Sequence, residues 1–262
     1  MTPMELFTAG RLADAVTALR HDDITPSGER RLFLSDLLLV SGDIDQARRE
    51  LDAVLPGDSD ALRDFIEGYH LLLDAEAKRQ RLTVDAVPTF VTEVPRHARL
   101  RLEAIQALRA GRPQSASERI DRANAVTPCI RGHVDGREFE ALCDGDDRFA
   151  SVLEVLTGGD YVWIPFEELR RVRLGKIESP RDQFFIPARV HLRDGSEWDV
   201  HLPALYVGSG VHPAEAIRCG RETDWFTPGS GIMGGVGLRV WTIGADEELT
   251  PWEVTQLNVR RS

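Results

Sequence analysis

The sequence contains little lysine and no surplus of positive charge. Lys78 and Lys176 are the only lysines among 32 basic residues, and 43 acidic residues bring the formal net charge of the 262-residue chain to −11. A protein that binds nucleic-acid phosphates or an anionic membrane surface normally carries an excess of basic side chains. The composition therefore argues against nucleic acid and membrane surfaces as partners.

Cysteine is also scarce, and long apolar runs are absent. The three cysteines, Cys129, Cys143 and Cys219, show no CxxC spacing, which argues against a disulfide framework and favours a reducing compartment. The first residues do not resemble a signal peptide, and runs such as residues 37–40 fall far short of the ~20 apolar residues that span a bilayer. We therefore expect a soluble, cytoplasmic protein without membrane insertion.

The first half contains a repeated pattern, Gly-x4-Ala-x3-Leu, with Ile at the last position of one copy. A glycine in the left-handed conformation ends the first helix of a hairpin, and the small alanine lets the second helix approach closely. The residue four positions further on lies on the same helical face. The glycines are separated by about one and about two tetratricopeptide periods of ~34 residues. The copies are Gly10, Ala15 and Leu19; Gly42, Ala47 and Leu51; and Gly111, Ala116 and Ile120, followed by Pro26, Pro56 and Pro128 respectively.

Residues 1–128 are therefore predicted to form an irregular, tetratricopeptide-like array of helix hairpins. Apolar spacing predicts one long helix over residues 60–82, a loop over 84–95 and a further hairpin over 97–126. Such arrays present grooves that accept a partner helix or an extended peptide. The alternative is that the second half of the chain fills these grooves.

Residues 129–262 have a different character, because all five tryptophans lie there. Alternating apolar residues and a turn signal at residues 193–196 predict a small antiparallel, β-rich α+β domain that resembles a half-open barrel. The predicted elements are helices over residues 149–157 and 166–171, strands over 161–164 and 172–174, paired strands over 188–192 and 198–202, and strands over 238–243 and 254–259.

Two motifs in this half suggest ligand chemistry, but their context is wrong. Residues 229–234 match G-x-G-x-x-G, yet Pro228 precedes them and no helix pattern follows, as dinucleotide binding would require. We predict a flexible glycine loop there.

Residues 144–147, Asp-Gly-Asp-Asp, lack EF-hand spacing and are predicted to cap the helix over 149–157. No two histidines are spaced i, i+4, and no nucleophile elbow or Walker loop is present. We expect no metal, cofactor or catalytic residues.

The segment Gly-Arg-Glu-Thr-Asp-Trp over residues 220–225 admits two interpretations. Arg221 and Asp224 can pair across a turn that Trp225 anchors, and such a loop is either an interaction hot spot or an internal, salt-bridged element. An enzyme or small-molecule-binding protein is the alternative function. Its pocket would lie between the two halves, with Arg221, Asp224 and His201 as candidates.

Five short segments, spread over nearly the whole chain, form a recognisable set. They are Gly42-Asp43, Asp146-Asp147-Arg148, YVWIP over residues 161–165, LPALY over residues 202–206 and GRETDW over residues 220–225. In this order they resemble the ImpE/TagJ family of type VI secretion accessory proteins. Leu238 is a departure, because a glutamine is expected at that position in relatives.

The resemblance implies a cytoplasmic, non-enzymatic adaptor. Its implied partner is the N-terminal helix of the small contractile-sheath subunit, with a link to the ClpV-type ATPase that recycles contracted sheath. A homodimer is a further expectation, and a purely structural, self-assembling module is a third alternative function. The candidate partner-binding or structural residues are Trp163, Pro165, Leu202, Pro203, Tyr206, Arg221, Asp224 and Trp225.

Overall fold

The computed structural model describes residues 1–20 and 27–260, which form an α+β structure. The helices are α1 (Pro3–Thr8), α2 (Leu12–Arg20), α3 (Gly28–Val40), α4 (Ile44–Asp52), α5 (Asp60–Gln80), α6 (Arg96–Arg109), α7 (Pro113–Asn124) and α8 (Glu215–Arg218). The strands are β1 (Thr89–Phe90), β2 (Gly132–Val134), β3 (Arg137–Phe139), β4 (Leu142–Asp144), β5 (Val152–Thr157), β6 (Asp160–Pro165), β7 (Leu169–Leu174), β8 (Phe185–Leu192), β9 (Glu197–Pro203), β10 (Thr223–Gly229), β11 (Ile232–Gly237), β12 (Trp241–Ile243), β13 (Glu247–Leu249) and β14 (Gln256–Val259).

Three helix hairpins follow the repeated pattern: α1 with α2, α3 with α4, and α6 with α7. The glycine at each turn has a positive φ, 79° at Gly10, 78° at Gly42 and 65° at Gly111, as a helix-ending glycine requires. The alanine of each copy is fully buried, and the last residue of each copy is at most 5% exposed. Pro26 lies outside the described residues. The tetratricopeptide-like stacking of the hairpins stays a prediction.

The long helix predicted over residues 60–82 is present as α5, which continues into a short 3-10 turn, Arg81–Thr83. The Ser59 side chain caps its start by accepting a hydrogen bond from the Leu62 N–H. The loop predicted over residues 84–95 contains one element that the prediction missed. It is β1, two residues long, which pairs in parallel with β6.

Nine strands form one sheet in the order β1-β6-β5-β9-β8-β7-β14-β2-β3, antiparallel except for the β1–β6 pair. Strands β13, β12 and β4 form a second sheet, and β10 pairs with β11. The hairpin predicted around residues 193–196 is confirmed as β8–β9. The half-barrel shape stays a prediction.

The helix predicted over residues 149–157 is wrong, because Val152–Thr157 forms strand β5. Residues 152–156 are all buried, since β5 is an inner strand between β6 and β9. A strand buried on both faces has a continuous apolar run, and such a run cannot be distinguished from a buried helix by its periodicity.

Three shorter predictions also need correction. The helix predicted over residues 166–171 is only a 3-10 turn, Phe166–Glu168, and β7 begins at Leu169. The strand predicted over 238–243 shortens to β12, because Leu238 makes only an isolated bridge to Leu205. The strand predicted over 254–259 begins at Gln256, after the 3-10 turn Pro251–Glu253.

Helices α1 to α6 and the large sheet share one buried core. Its members extend from Leu6 in α1 to Val259 in β14, and the ring of Phe7 in α1 meets that of Phe184 edge to face at 6.1 Å. A smaller cluster joins α6 and α7 to Ile232 of the β10–β11 hairpin. The division into domains 1–128 and 129–262 stays a prediction.

Candidate functional site

Five of the eight candidate residues lie inside the protein. Trp163 in β6 and Leu202 in β9 are fully buried, and Pro165 and Pro203 end those two strands and are buried as well. Tyr206, just after β9, is only 1% exposed. These side chains therefore hold the fold together, and a partner cannot reach them in this structure.

Tyr206 belongs to a buried ionic cluster around Arg239. The Arg239 guanidinium donates to Asp144 at 2.5 Å and also to Glu154, and the Tyr206 hydroxyl donates to Asp144 at 2.9 Å. Burial lowers the pKa of Arg239, but the charges of Asp144 and Glu154 more than compensate and hold it above its usual range. Arg239 is thus a permanent buried cation shared by two carboxylates.

Trp163 joins the same cluster through Tyr161. The Trp163 indole N–H donates to the Tyr161 hydroxyl at 2.5 Å, and that hydroxyl donates to Glu154. Burial and the neighbouring Glu154 charge raise the pKa of Tyr161 well above its ordinary value, so the phenol remains a donor. The tryptophan of the YVWIP segment therefore orients the cluster.

The predicted cap at residues 144–147 is also wrong, because no helix follows it. Asp146 is fully buried and accepts hydrogen bonds from the Arg148 N–H at 2.8 Å and the Gly235 N–H at 2.9 Å. Its carboxylate also pairs with the Arg148 guanidinium. The Asp146-Asp147-Arg148 segment thus ties β4 to the β10–β11 hairpin.

The glycine-rich segment is a β-hairpin and not a flexible loop. Gly229 opposes Ile232 at the turn, and the glycines of β11 leave room for aromatic rings. A Cβ on Gly235 would lie 2.5 Å from the Tyr206 ring, and one on Gly234 would lie 2.8 Å from the Phe226 ring. Gly234 and Gly235 are therefore required for close packing against aromatic rings. This packing explains the match to G-x-G-x-x-G, and no nucleotide-binding role is needed to explain it.

Arg221 and Asp224 do not pair with each other. The Arg221 guanidinium donates to the Thr8 carbonyl and packs against Gly10, whose Cβ would lie 2.8 Å from it. The Asp224 carboxylate lies 3.8 Å from His212 Nε2. The predicted pairing failed because Arg221 points across to the α1–α2 turn, where it joins the first half to the second.

Trp225 is exposed, as Arg221 and Asp224 are, and it is the exposed aromatic residue of the candidate set. It is 37% exposed, and its ring centroid lies 5.9 Å from that of Tyr206. Phe226 and Met233 of the same hairpin are 39% and 45% exposed. His201, the third candidate of the enzyme alternative, lies elsewhere, in a groove beside α5.

That groove, here called the α5 groove, has a volume of about 190 Å³. Its lining residues are Phe65, Gly68, Tyr69, Leu72, Arg181 and His201. The Arg181 guanidinium lies 5.0 Å from the Phe65 ring centroid and 4.5 Å from that of Tyr69. Burial, and then the Arg181 charge, lower the pKa of His201 to about 4, so the imidazole is neutral near pH 7.

A second cavity of about 200 Å³ lies between the α3–α4 turn and residues 205–211. Its polar wall is Glu76 and Arg79, a buried pair at 2.7 Å, and Arg79 also donates to the Leu205 carbonyl at 3.2 Å. A Cβ on Gly210 would lie 2.9 Å from the Val40 carbonyl oxygen. The Gly42-Asp43 turn and the segment after β9 therefore meet here.

A buried group of hydrogen-bonded side chains around α6 was not predicted from the sequence. The two ring nitrogens of His97 face the Ser151 hydroxyl at 2.8 Å and Glu167 at 2.5 Å, and Arg101 Nε donates to Ser151 at 2.8 Å. The order serine, histidine, glutamate resembles a catalytic triad, but Ser151 is 2% exposed. The set joins α6 to the sheet. The only signal in the sequence was the placement of polar residues on the apolar side of a helix.

Residues 1–20 and 27–260 contain no group of three or more His, Cys, Asp or Glu side chains placed to hold a metal ion. None of the helices in the same ranges is long and apolar enough to cross a membrane.

Comparison with known proteins identifies the class. The family model described as ImpE protein matches residues 136–258. The type VI secretion system accessory component TagJ of Pseudomonas aeruginosa is 31% identical over 250 residues, which cover 94% of this chain and 87% of TagJ. An X-ray structure of a Vibrio parahaemolyticus protein has the same fold, with a TM-score of 0.86 at 20% identity over 99% of this chain and 98% of that one.

These matches define an accessory protein of type VI secretion. The chain belongs to the ImpE/TagJ family, as the five sequence segments indicated.

Proposed function

We propose that this protein is a non-enzymatic, cytoplasmic adaptor that binds the N-terminal helix of the small contractile-sheath subunit. In this role it assists sheath recycling by a ClpV-type ATPase. The observation that carries the proposal is the 31% identity, over 94% of the chain, to a type VI secretion accessory component. An array of helix hairpins suits such a role, because grooves between helices accept the apolar face of another helix.

The geometry of the candidate residues favours an adaptor over the enzyme alternative. Arg221 contacts the α1–α2 turn, Asp224 faces His212, and His201 lines the α5 groove. A catalytic site needs a nucleophile or base and its partners around one reacting atom. The three candidates have separate contacts and provide no such arrangement.

The test is retention by an immobilised peptide. The cognate sheath-subunit N-terminal peptide should retain the protein at micromolar concentration, and a scrambled peptide of equal composition should not. Absence of retention by the cognate peptide contradicts the sheath-adaptor proposal. A metabolite that raises the melting temperature of the wild type but not of Asp224→Ala would instead support the enzyme alternative.

A further inference from the structure

The cavity between the α3–α4 turn and residues 205–211, here called the α3–α4 cavity, is large for the space between two packed elements. Its volume is about 200 Å³. Protein interiors are close-packed and contain few voids larger than a water molecule, whose share of liquid volume is about 30 Å³. An apolar cavity of about 150 Å³ is already sufficient to bind benzene. The α3–α4 cavity therefore has room for one small ring.

The walls of this cavity are fixed by close contacts between its two sides. A Cβ on Gly210 would lie 2.9 Å from the Val40 carbonyl oxygen and 3.0 Å from the Gly42 nitrogen, so residues 208–211 pack directly against the α3–α4 turn. Leu39 and Phe184 also line the cavity, and both are buried members of the main core. The cavity is therefore largely preformed, as ligand sites usually are.

The polar side chains of the wall are already bonded within the protein. Both carboxylate oxygens of Glu76 accept hydrogen bonds from the Arg79 guanidinium, at 2.7 and 3.0 Å. The Ser209 hydroxyl donates to the Tyr206 carbonyl at 2.6 Å. Among the described residues, no side chain that lines the cavity has a buried nitrogen or oxygen without a hydrogen-bond partner. The body of an occupant therefore needs to supply no buried hydrogen bond.

The charges and rings of the wall indicate the chemistry of the occupant. Glu76 and Arg79 are the charged side chains of the wall, and they neutralise each other in a buried salt bridge. An additional buried ion would lose its hydration and would find no unpaired opposite charge. The wall also contains the aromatic rings of Phe184, Phe185 and Tyr206, which favour contact with another ring. The wall therefore suits an uncharged aromatic ring.

The mouth of the cavity is the part of its lining that reaches solvent. Thr83 and Gly208 are exposed there, and Val211 is 80% exposed. The Thr83 hydroxyl makes no hydrogen bond to any other residue within 1–20 and 27–260. One polar substituent on the ring can therefore be accommodated at the mouth, by this hydroxyl or by solvent.

We propose that the α3–α4 cavity binds an uncharged aromatic ring that carries at most one hydrogen-bonding group, held at the mouth. A free small molecule and an aromatic side chain of a protein partner present the same chemistry, and either is a source of the ring. The inference goes beyond the proposed function, which assigns no ligand to this cavity.

The test is a titration of the ¹⁵N-labelled protein near pH 7, followed by the amide NMR signals of Gly208 and Gly210. Benzyl alcohol should shift these signals with a dissociation constant of about 1 mM or lower. Benzoate and benzylammonium have the same ring with a negative or a positive charge, and they should bind at least about tenfold more weakly.

Two variants examine whether the ligand enters by the proposed mouth. Val211→Trp and Thr83→Trp each place an indole at the mouth and should weaken binding of benzyl alcohol at least about tenfold. Val87→Trp is the matched control, because Val87 is 56% exposed and does not line the cavity. This control should bind benzyl alcohol as the wild type does.

The outcomes separate this inference from the proposed function. Absence of saturable shifts, equal binding of the three ligands, or undiminished binding by both mouth variants would each overturn the cavity assignment and leave the adaptor proposal standing. Displacement of benzyl alcohol by the cognate sheath-subunit peptide would support the assignment and identify a partner side chain as the ring. Simultaneous binding of both would support it and identify a free small molecule. If the peptide is not retained but benzyl alcohol binds as expected, only the adaptor proposal fails.

Discussion

Replacing Arg239 by methionine should destabilise the protein severely without changing the volume of its core much. Arg239 is 2% exposed and is the shared partner of Asp144 and Glu154, both fully or almost fully buried. Methionine fills a similar space but cannot donate a hydrogen bond. The variant therefore leaves two carboxylates buried without their cation.

The expected decrease in the free energy of unfolding follows from the burial of these charges. Breaking a buried ion pair by removing one partner costs about 3–5 kcal/mol, because the remaining charge stays uncompensated. The whole free energy of unfolding of a domain is about 5–15 kcal/mol. Arg239→Met should therefore lower the free energy of unfolding by a large fraction of its total. Arg189→Met provides the control, because Arg189 pairs with Asp199 at 2.8 Å on the surface, where ion pairs contribute little.

The assay is urea denaturation followed by tryptophan fluorescence. With a slope of about 2–3 kcal/mol per molar urea, Arg239→Met should lower the midpoint by about 1–2 M. The triple variant Arg239→Met/Asp144→Asn/Glu154→Gln should recover much of this loss, because it neutralises the stranded carboxylates. If Arg239→Met shifts the midpoint no more than Arg189→Met does, the buried cluster does not stabilise the fold as argued.

Three further predictions concern titration and packing. Burial raises the pKa of Asp36 to about 6 in the folded state from 3.8, so the free energy of unfolding should fall by about 3 kcal/mol as pH rises through this window. Asp36→Asn should remove that decline in urea titrations at several pH values. The pKa of His201 is lowered from 6.5 to about 4, so its contribution is present above pH 6.5 and is lost as pH falls through about 4. His201→Gln should therefore lose less stability on acidification than the wild type. Gly235→Val should cost about 1–3 kcal/mol by displacing the Tyr206 ring, and it should shift Trp225 emission.

Local patterns predicted the helical half well. The turn glycines, the buried alanines and the long helix α5 follow from residue type and spacing within one hairpin or one helix. The strand β5 could not be predicted in the same way. Its apolar run fits a helix or a strand equally well, and its position between β6 and β9 depends on pairing with residues distant in sequence.

The contacts of the candidate residues likewise could not be predicted from local sequence patterns. Trp163, Tyr206 and Asp146 attracted attention by residue type, but only the fold shows that they contact Tyr161, Asp144 and Gly235 in the interior. The pairing of Arg221 with Asp224 was predicted from their proximity in sequence. Arg221 instead contacts Thr8, more than two hundred residues away, which no local pattern reveals.

Three of the five family segments lie largely in the interior, namely residues 146–148, 161–165 and 202–206. Buried charges and tightly packed buried side chains tolerate few substitutions, so the fold itself constrains these three segments. The segments over residues 42–43 and 220–225 are mostly half-buried or exposed, and this constraint applies to them less. Substitutions in the three interior segments should therefore reduce stability and peptide binding together.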